Sequence, residues 1–164
     1  MFKKCFLVLS ASYPISGIAD IISLSPNPNK VAPAVSGQLF ENQQPVPGAT
    51  VVRTITTNRT IVEIVKTDKN GYFKFTPFHY DFPIQTKSSD TIRSMINITA
   101  EYGKNSKAIW SSEHAGSHYL PFMPPAMKDL SCDMNESVNL YEFSSGYQQI
   151  LPTRVSSICQ LSRE

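Results

Sequence analysis

The sequence predicts an all-β sandwich of about seven antiparallel strands. Three observations favour this fold class: β-branched runs that alternate with period two, turn residues at short intervals, and no amphipathic helix of useful length. The 164 residues include 12 prolines and 7 glycines, which suit short strands joined by many turns. A chain of this length is expected to form one domain. Residues 153–161 fit a strand or a short C-terminal helix equally well.

The N-terminus has the layout of a secretory signal peptide. A basic start, MFKK, precedes the uncharged run CFLVLSASYPISGIA, which ends in small residues. The run is too short to span a bilayer, so stable membrane insertion is not predicted. We therefore predict a signal peptide over residues 1–19, a linker over 20–34, and one domain over 35–164 that is periplasmic or secreted. The alternative is a buried N-terminal strand in a cytoplasmic protein.

Loss of this leader leaves a domain without net charge. The chain has 15 basic and 13 acidic residues, and Lys3 and Lys4 leave with the leader, so 13 of each sign remain. A neutral domain has no electrostatic footprint for nucleic acid, and no such partner is predicted. Two of the three cysteines, Cys132 and Cys159, remain, and an even pair in an exported chain predicts a disulfide. Two free buried thiols are the alternative if the chain is not exported.

The individual strands follow from the alternation of side chains. In VSGQLF, Val35, Gly37 and Leu39 fall on one face, and the run TIVEIVK alternates in the same way. TIRSMINITAEYG and AIWSS predict two further strands, and KDLSCDM and SVNLYEF predict the last clear ones. The proline-rich segment LPFMPPAM predicts an irregular surface crossing. Regular short strands separated by turns indicate a sandwich.

Two turns carry the most specific residues of the sequence. Pro47 and Gly48 end a polar bend between the first two strands. Asn70 and Gly71 tolerate the positive φ values of a tight hairpin, and Asp68 can accept hydrogen bonds from the amides of that turn. All five residues are therefore predicted to have a structural role, and none a chemical one.

The segment VSGQLFENQQPVPGATVV, followed by VKTDKNGYFKF, resembles the carboxypeptidase regulatory-like, or transthyretin-like, β-sandwich. That family has a Val-x-Gly strand, a Pro-x-Pro-Gly-Ala bend and a Thr-Asp-x-Asn-Gly-x-Phe hairpin. The resemblance covers residues 35–76, and the chain also looks like small stand-alone bacterial proteins of unknown function. It implies the fold but no particular activity. The matching residues are Val35, Gly37, Pro45, Pro47, Gly48, Ala49, Thr67, Asp68, Asn70, Gly71, Phe73 and Phe75.

No catalytic or metal site is predicted, and no cofactor. The transthyretin branch that hydrolyses 5-hydroxyisourate ends in Tyr-Arg-Gly-Ser, whereas this chain ends in CQLSRE. The other two histidines besides His79 occur in EHAGSH, where His114 and His118 would share a face only on a helix. Gly116 and the neighbouring serines disfavour that helix, so a solvated loop is predicted. There is no Gly-x-Ser-x-Gly elbow and no phosphate-binding glycine loop.

Aromatic and methionine side chains give the remaining functional hint. Trp110, Tyr119, Phe122 and Met123 flank the proline-rich crossing, and such residues are enriched at protein interfaces. They are the candidate binding residues. The alternative for Trp110 is the core of a sandwich strand, because tryptophan is highly buried on average.

The pattern favours a binding protein over an enzyme. We expect an exported, non-catalytic protein that acts by protein–protein interaction, for example an immunity protein that neutralises a secreted antibacterial toxin. One alternative is a carbohydrate or cell-wall binding module with aromatic residues around Trp110 as its platform. Another is a hydrolase whose site involves His114 or His118.

Overall fold

The computed structural model describes residues 29–80, 92–144 and 152–161. Within these ranges the chain forms thirteen strands and one short helix, which confirms the all-β prediction. The strands outnumber the predicted seven because short strands of two to four residues, such as those at 44–45 and 159–160, are among them. The elements are β1 (Asn29–Ala32), β2 (Val35–Glu41), β3 (Gln44–Pro45), β4 (Thr50–Thr56), β5 (Thr60–Lys66), β6 (Tyr72–Phe75), β7 (Phe78–Tyr80), β8 (Arg93–Tyr102), β9 (Asn105–Ala115), α1 (Met123–Ala126), β10 (Leu130–Asp133), β11 (Asn139–Phe143), β12 (Thr153–Ser157) and β13 (Cys159–Gln160).

The larger sheet has six antiparallel strands in the order β11-β12-β9-β8-β4-β5. Alternate residues of its strands point to the core, and most of these residues are apolar. In β8, for example, Ser94, Ile96 and Ile98 are buried while Arg93 and Met95 are exposed, as the alternation predicts. The segment 105–112, which contains AIWSS, belongs to one long strand, β9, that pairs with β8 on both sides of a register shift between Ile98 and Thr99.

The smaller sheet is built around β2. One edge of β2 pairs with β10, and the other pairs with β6 and then with β3. The β2–β10 pair is parallel, which differs from the all-antiparallel prediction. The reason is the long connection through α1, which carries the chain back across the fold before β10 begins. β1 and β7 form a separate antiparallel pair.

Gly37 allows the centre of this sheet to pack. A Cβ atom at this position would lie 2.7 Å from Cζ of Phe73 and 2.9 Å from Cβ of Leu130. These distances are shorter than a non-bonded carbon contact, so the ring of Phe73 can cross β2 only where no side chain is present. The glycine of the Val-x-Gly pattern therefore has a packing role.

The Asp68–Gly71 turn joins the two sheets. Asp68 Oδ1 accepts hydrogen bonds from the amides of Asn70 and Tyr72 at 2.8 and 2.9 Å, as predicted. Gly71 has φ +79°, but Asn70 does not have a positive φ. The predicted hairpin is also wrong, since β5 pairs with β4 and β6 pairs with β2. The turn is therefore a corner at which the chain changes sheets.

The Pro47–Gly48 bend is fixed by the residue that follows β5. Gly48 has φ +73°, and its amide donates to the carbonyl of Thr67 at 3.0 Å. The hydroxyl of Thr67 is buried, donates to Val46 O at 2.6 Å and accepts from the amide of Ala49 at 2.9 Å. The two turn motifs of the sequence thus contact each other through one threonine.

The termini differ in part from the sequence prediction. The predicted leader, residues 1–19, lies outside the described residues. β1 falls inside the predicted linker, and its Val31 and Ala32 are completely buried. Two apolar residues beside prolines therefore form a core strand and not a spacer. Residues 153–161 form β12 and β13 and no helix, because Thr153, Val155 and Ser157 alternate into the core.

Cys132 and Cys159 form the predicted disulfide. They lie opposite each other in the β10–β13 pair, with Cα atoms 4.0 Å apart, and both are buried. The bond closes a loop with a sequence separation of 27 and fixes the C-terminal strand to the smaller sheet. Residues 29–80, 92–144 and 152–161 contain no candidate for a membrane-spanning helix.

Candidate functional site

β5 is an edge strand, and in the described ranges it pairs only with β4. Beyond its two ends, the amide of Thr57 donates to Arg59 O and the amide of Thr67 donates to Ala49 O. Hydrogen-bonded positions alternate along an antiparallel pair, so the odd-numbered residues of β5 bond to β4. The even-numbered residues direct their N–H and C=O groups towards the open edge. These residues are Thr60, Val62, Ile64 and Lys66.

The open edge also carries exposed apolar side chains. Val62 is 55% exposed and Ile64 is 65% exposed on the outer face, whereas Ile61 and Val65 pack half-buried against the core. Edge strands are usually protected by lysine, proline, a bulge or short length. β5 has seven residues, runs without a bulge along β4 and has its one lysine, Lys66, at its end. These features are typical of a strand that accepts another strand.

Arg53 fastens this edge to the core. Its guanidinium is completely buried, and it donates from Nε to Glu63 Oε2 at 2.7 Å, from Nη1 to Pro33 O at 2.9 Å and from Nη2 to Thr76 O at 2.7 Å. It also lies 4.8 Å from the centre of the Phe75 ring. Burial lowers the pKa of Arg53, and the hydrogen bond and charge of Glu63 oppose that shift. The cluster ties β5, the β1–β2 connection and the end of β6 together.

Glu63 brings a carboxylate to the same edge. Its side chain keeps 29% of its exposure, although it points to the inner face of the sheet. Oε2 receives both contacts from Arg53. Among the described residues, Oε1 has no hydrogen-bond partner. One oxygen of a partly exposed carboxylate is therefore without a partner within the described part of the chain.

A groove of about 600 Å³ crosses the outer face of the smaller sheet and ends at β5. Its floor is the backbone of Gly37, Phe73 and Leu130, which lie side by side in three neighbouring strands. The side chains of Phe73 and Leu130 are buried on the core side of the sheet. Val65 and Lys66 close the end at β5. Its walls are the outward side chains of the neighbouring rows: Ser36, Gln38, Tyr72, Lys74, Asp129 and Ser131.

The β5 edge and the groove lie within a recognised domain. The family model described as Domain of unknown function (DUF6795) matches residues 35–137, which is more than half of the chain. The chain belongs to the DUF6795 family. No curated protein and no solved structure matches this chain. The DUF6795 match runs from the start of β2 to just beyond β10, so it includes both features, whereas Cys159 lies outside it.

The aromatic residues predicted as a binding surface are mostly internal in this DUF6795 chain. Trp110 and Met123 are completely buried, so neither is available to a ligand. Trp110 is a core residue that donates from Nε1 to Ser112 Oγ at 2.8 Å. Tyr119 and Phe122 are half-buried, and Phe122 stacks on a neighbouring phenylalanine at 4.5 Å between ring centres. Two of the four predicted residues are therefore core residues, and the structure does not bring the four together on one exposed surface.

The histidines of EHAGSH lie at the end of a strand. His114 is buried at the end of β9, and its Nε2 lies 3.0 Å from the backbone oxygen of His118. Burial lowers the pKa of His114, opposed by the bond to His118 and the charge of Glu113. His79 and His118 are exposed. Among the described residues, no group of three histidine, cysteine or acidic side chains is placed to hold a metal ion.

Sequence reasoning missed the β5 edge for a specific reason. The alternation of TIVEIVK placed Val62 and Ile64 on one face, but it did not indicate that this face is the outer one. Nor can periodicity tell whether a strand is central or at an edge, since that depends on which other strands pair with it. The sequence did contain one indication of an edge position: Glu63 is an acidic residue on the same face as Ile61 and Val65.

Proposed function

We propose that this DUF6795 protein is a non-catalytic, exported binding protein that recognises another protein through the β5 edge. One observation carries the proposal: among the described residues, a seven-residue strand has one row of backbone groups that no other strand pairs with, and it has two exposed apolar side chains. Partners that add a strand to such an edge gain affinity from main-chain hydrogen bonds and specificity from alternate side chains. The buried Arg53 cluster supports the proposal because it holds the edge in one conformation before binding.

Export to the bacterial envelope is the second part of the proposal. It is supported by the layout of residues 1–19 and by the Cys132–Cys159 disulfide, which is typical of oxidising compartments. The more specific proposal is that the partner is a secreted antibacterial toxin, which this protein neutralises. The size of the chain and the proposed export favour this kind of partner. Protection of cells from such a toxin by the wild-type protein, but not by an Ile64→Lys variant, would support this more specific proposal.

Neither alternative function is carried by a specific observation. A glycan platform around Trp110 would need an exposed indole ring, and this ring is buried. A hydrolase using His114 would need a free ring nitrogen facing solvent, whereas His114 is buried and its Nε2 contacts a backbone oxygen. The protein-binding proposal is therefore the one that the described surface supports.

Site-specific photo-crosslinking in cells that produce the full chain tests this proposal. A photoreactive residue is placed at Ile64 on β5 or, as the matched control, at Leu140, which is 58% exposed on the opposite edge strand β11. We expect a discrete protein adduct from position 64 and none from position 140. Adducts of equal yield at both positions, or no adduct at 64, would contradict recognition through β5.

A further inference from the structure

We propose that the occupant of the β5 edge is an extended, antiparallel segment of the partner that places a basic residue opposite Glu63, with an apolar residue on each side. This inference rests on the proposed function and names the chemistry of the partner. It follows from three properties of β5: the direction of its free backbone groups, the position of its one acidic side chain, and the location of its exposed apolar residues.

The backbone fixes how a partner strand can pair. The open N–H and C=O groups belong to the even-numbered residues, so Val62 and Ile64 form the hydrogen-bonded positions of a new antiparallel pair. Glu63 lies between them at a non-hydrogen-bonded position. Side chains opposite each other at such positions come closest, with Cα atoms about 4.5 Å apart. The residue opposite Glu63 is therefore the one that interacts most strongly with its carboxylate.

A strand that covers this edge removes water from Glu63. The carboxylate is already compensated on one side by Arg53, but Oε1 has no partner among the described residues. A buried acceptor without a partner is unfavourable, and an opposing like charge is more so. A lysine or arginine opposite Glu63 can donate to Oε1, so the arrangement selects for a basic residue and against an acidic or apolar one.

The same carboxylate disfavours a second copy of this chain. Two copies of β5 can pair about a twofold axis only in registers in which outer-face residues of one copy lie opposite outer-face residues of the other. The register that uses all seven residues places Glu63 opposite Glu63 of the other copy. Registers centred on Val62 or Ile64 avoid that contact, but they shorten the overlap to five residues. Glu63 therefore acts against self-pairing while leaving the edge open to a basic partner.

The outer face specifies the flanking residues. The residues opposite Val62 and Ile64 point to the outer face, where these two side chains are 55% and 65% exposed. Apolar or β-branched partners there would cover them and form favourable cross-strand pairs. The predicted recognition pattern is thus apolar–basic–apolar within an extended segment.

A display selection on the intact protein tests the pattern. Random heptapeptides displayed on phage are selected against the immobilised full chain, and against Leu140→Lys as the matched control with a changed exposed edge residue. We expect both proteins to enrich sequences with apolar–basic–apolar centres. In the best peptide, replacing the central basic residue by glutamate is expected to weaken binding about tenfold, as opposing like charges replace an ion pair. No enrichment, or enrichment without a basic centre, would overturn the inference.

Two β5 variants separate the backbone from the charge. Ile64→Pro removes an amide that faces the open edge, not one bonded to β4, and should abolish binding of the selected peptide while the fold persists. Ile64→Lys tests the same position with the backbone intact if the proline variant does not fold. Glu63→Gln should remove the preference for a basic centre. An unchanged preference in Glu63→Gln would overturn the role of the carboxylate.

The outcomes also distinguish this inference from the proposed function. A crosslinked partner at position 64 together with no basic preference in the selected peptides would leave protein binding intact and refute the recognition pattern. Absence of the crosslink at position 64 would refute the proposed function itself. A chain that elutes as a dimer, and becomes monomeric in Ile64→Lys, would overturn the exclusion of a second copy.

Discussion

Replacing Arg53 by methionine removes the centre of the buried cluster that holds the β5 edge. Methionine keeps an unbranched apolar side chain as far as the position of Nε, so the change removes the hydrogen-bonding guanidinium and keeps the packing of the stem. The buried carbonyl of Pro33 and the part-buried carbonyl of Thr76 each lose a donor, at 2.9 and 2.7 Å. An unsatisfied buried acceptor costs about 1–3 kcal/mol, and the lower end applies to Thr76 because water can reach it.

The ion pair adds a smaller amount. The side chain of Glu63 is 29% exposed, so its carboxylate can be hydrated once Arg53 is gone, and the loss is about 1 kcal/mol. The buried methionine returns about 1 kcal/mol through its apolar surface. With about 2 kcal/mol for Pro33 and 1 kcal/mol for Thr76, we expect the free energy of unfolding to fall by about 3 kcal/mol.

Urea denaturation followed by tryptophan fluorescence measures this loss, since the single tryptophan, Trp110, is in the core. Arg154→Met is the matched control, because Arg154 forms an exposed ion pair with Glu142 and its side chain is 71% exposed. The control should change stability by less than about 0.5 kcal/mol. A loss below about 1 kcal/mol in Arg53→Met, or equal losses in both variants, would refute the structural role assigned to Arg53.

Three further predictions concern the disulfide, the corner turn and the buried histidine. Replacing both Cys132 and Cys159 by alanine should lower the free energy of unfolding by about 3.5 kcal/mol, the chain-entropy value for their separation of 27 residues; an unchanged urea midpoint would argue against the bond. Asp68→Ala removes the acceptor of two turn amides and should cost about 1–2 kcal/mol in the same assay, with Asp68→Asn losing less. If Asp68→Ala denatures at the wild-type urea concentration, the turn does not need its carboxylate. Because burial lowers the pKa of His114, the unfolded chain binds the proton more tightly than the folded one. The contribution of neutral His114 to the free energy of unfolding is therefore complete above about pH 6.5 and is lost as the pH falls below that value. Denaturation between pH 7.5 and 5.5 should show a smaller decrease in stability for His114→Gln than for the wild type, and parallel curves would exclude this effect.

The sequence contained most of the local structure. Alternation in VSGQLF and TIVEIVK correctly predicted which residues of β2 and of β5 share a face, and Asp68 was correctly predicted to bind the amides of its turn. These features depend on neighbouring residues alone, so they can be read without knowing the fold. The Cys132–Cys159 bond was predictable for a different reason, since only one pair remained once the leader was set aside.

The long-range pairings could not be read in the same way. The Asp68–Gly71 turn resembles a hairpin because a corner between sheets uses the same residues as a turn between paired strands. The parallel β2–β10 pair depends on how the α1 crossing returns, which no local pattern encodes. For the same reason, Trp110 could be assigned neither to the core nor to a surface, and the exposed edge at Ile64 was not identified.

Amide hydrogen exchange of the full chain measures directly whether the β5 edge is open in the free protein. In nuclear magnetic resonance spectra of the isolated protein, the amides of Ile61, Glu63 and Val65 should exchange slowly because they bond to β4. The amides of Val62 and Ile64 should exchange rapidly because they face solvent. Equally slow exchange at all five positions would mean that the edge is already covered and that β5 does not receive a strand of a partner.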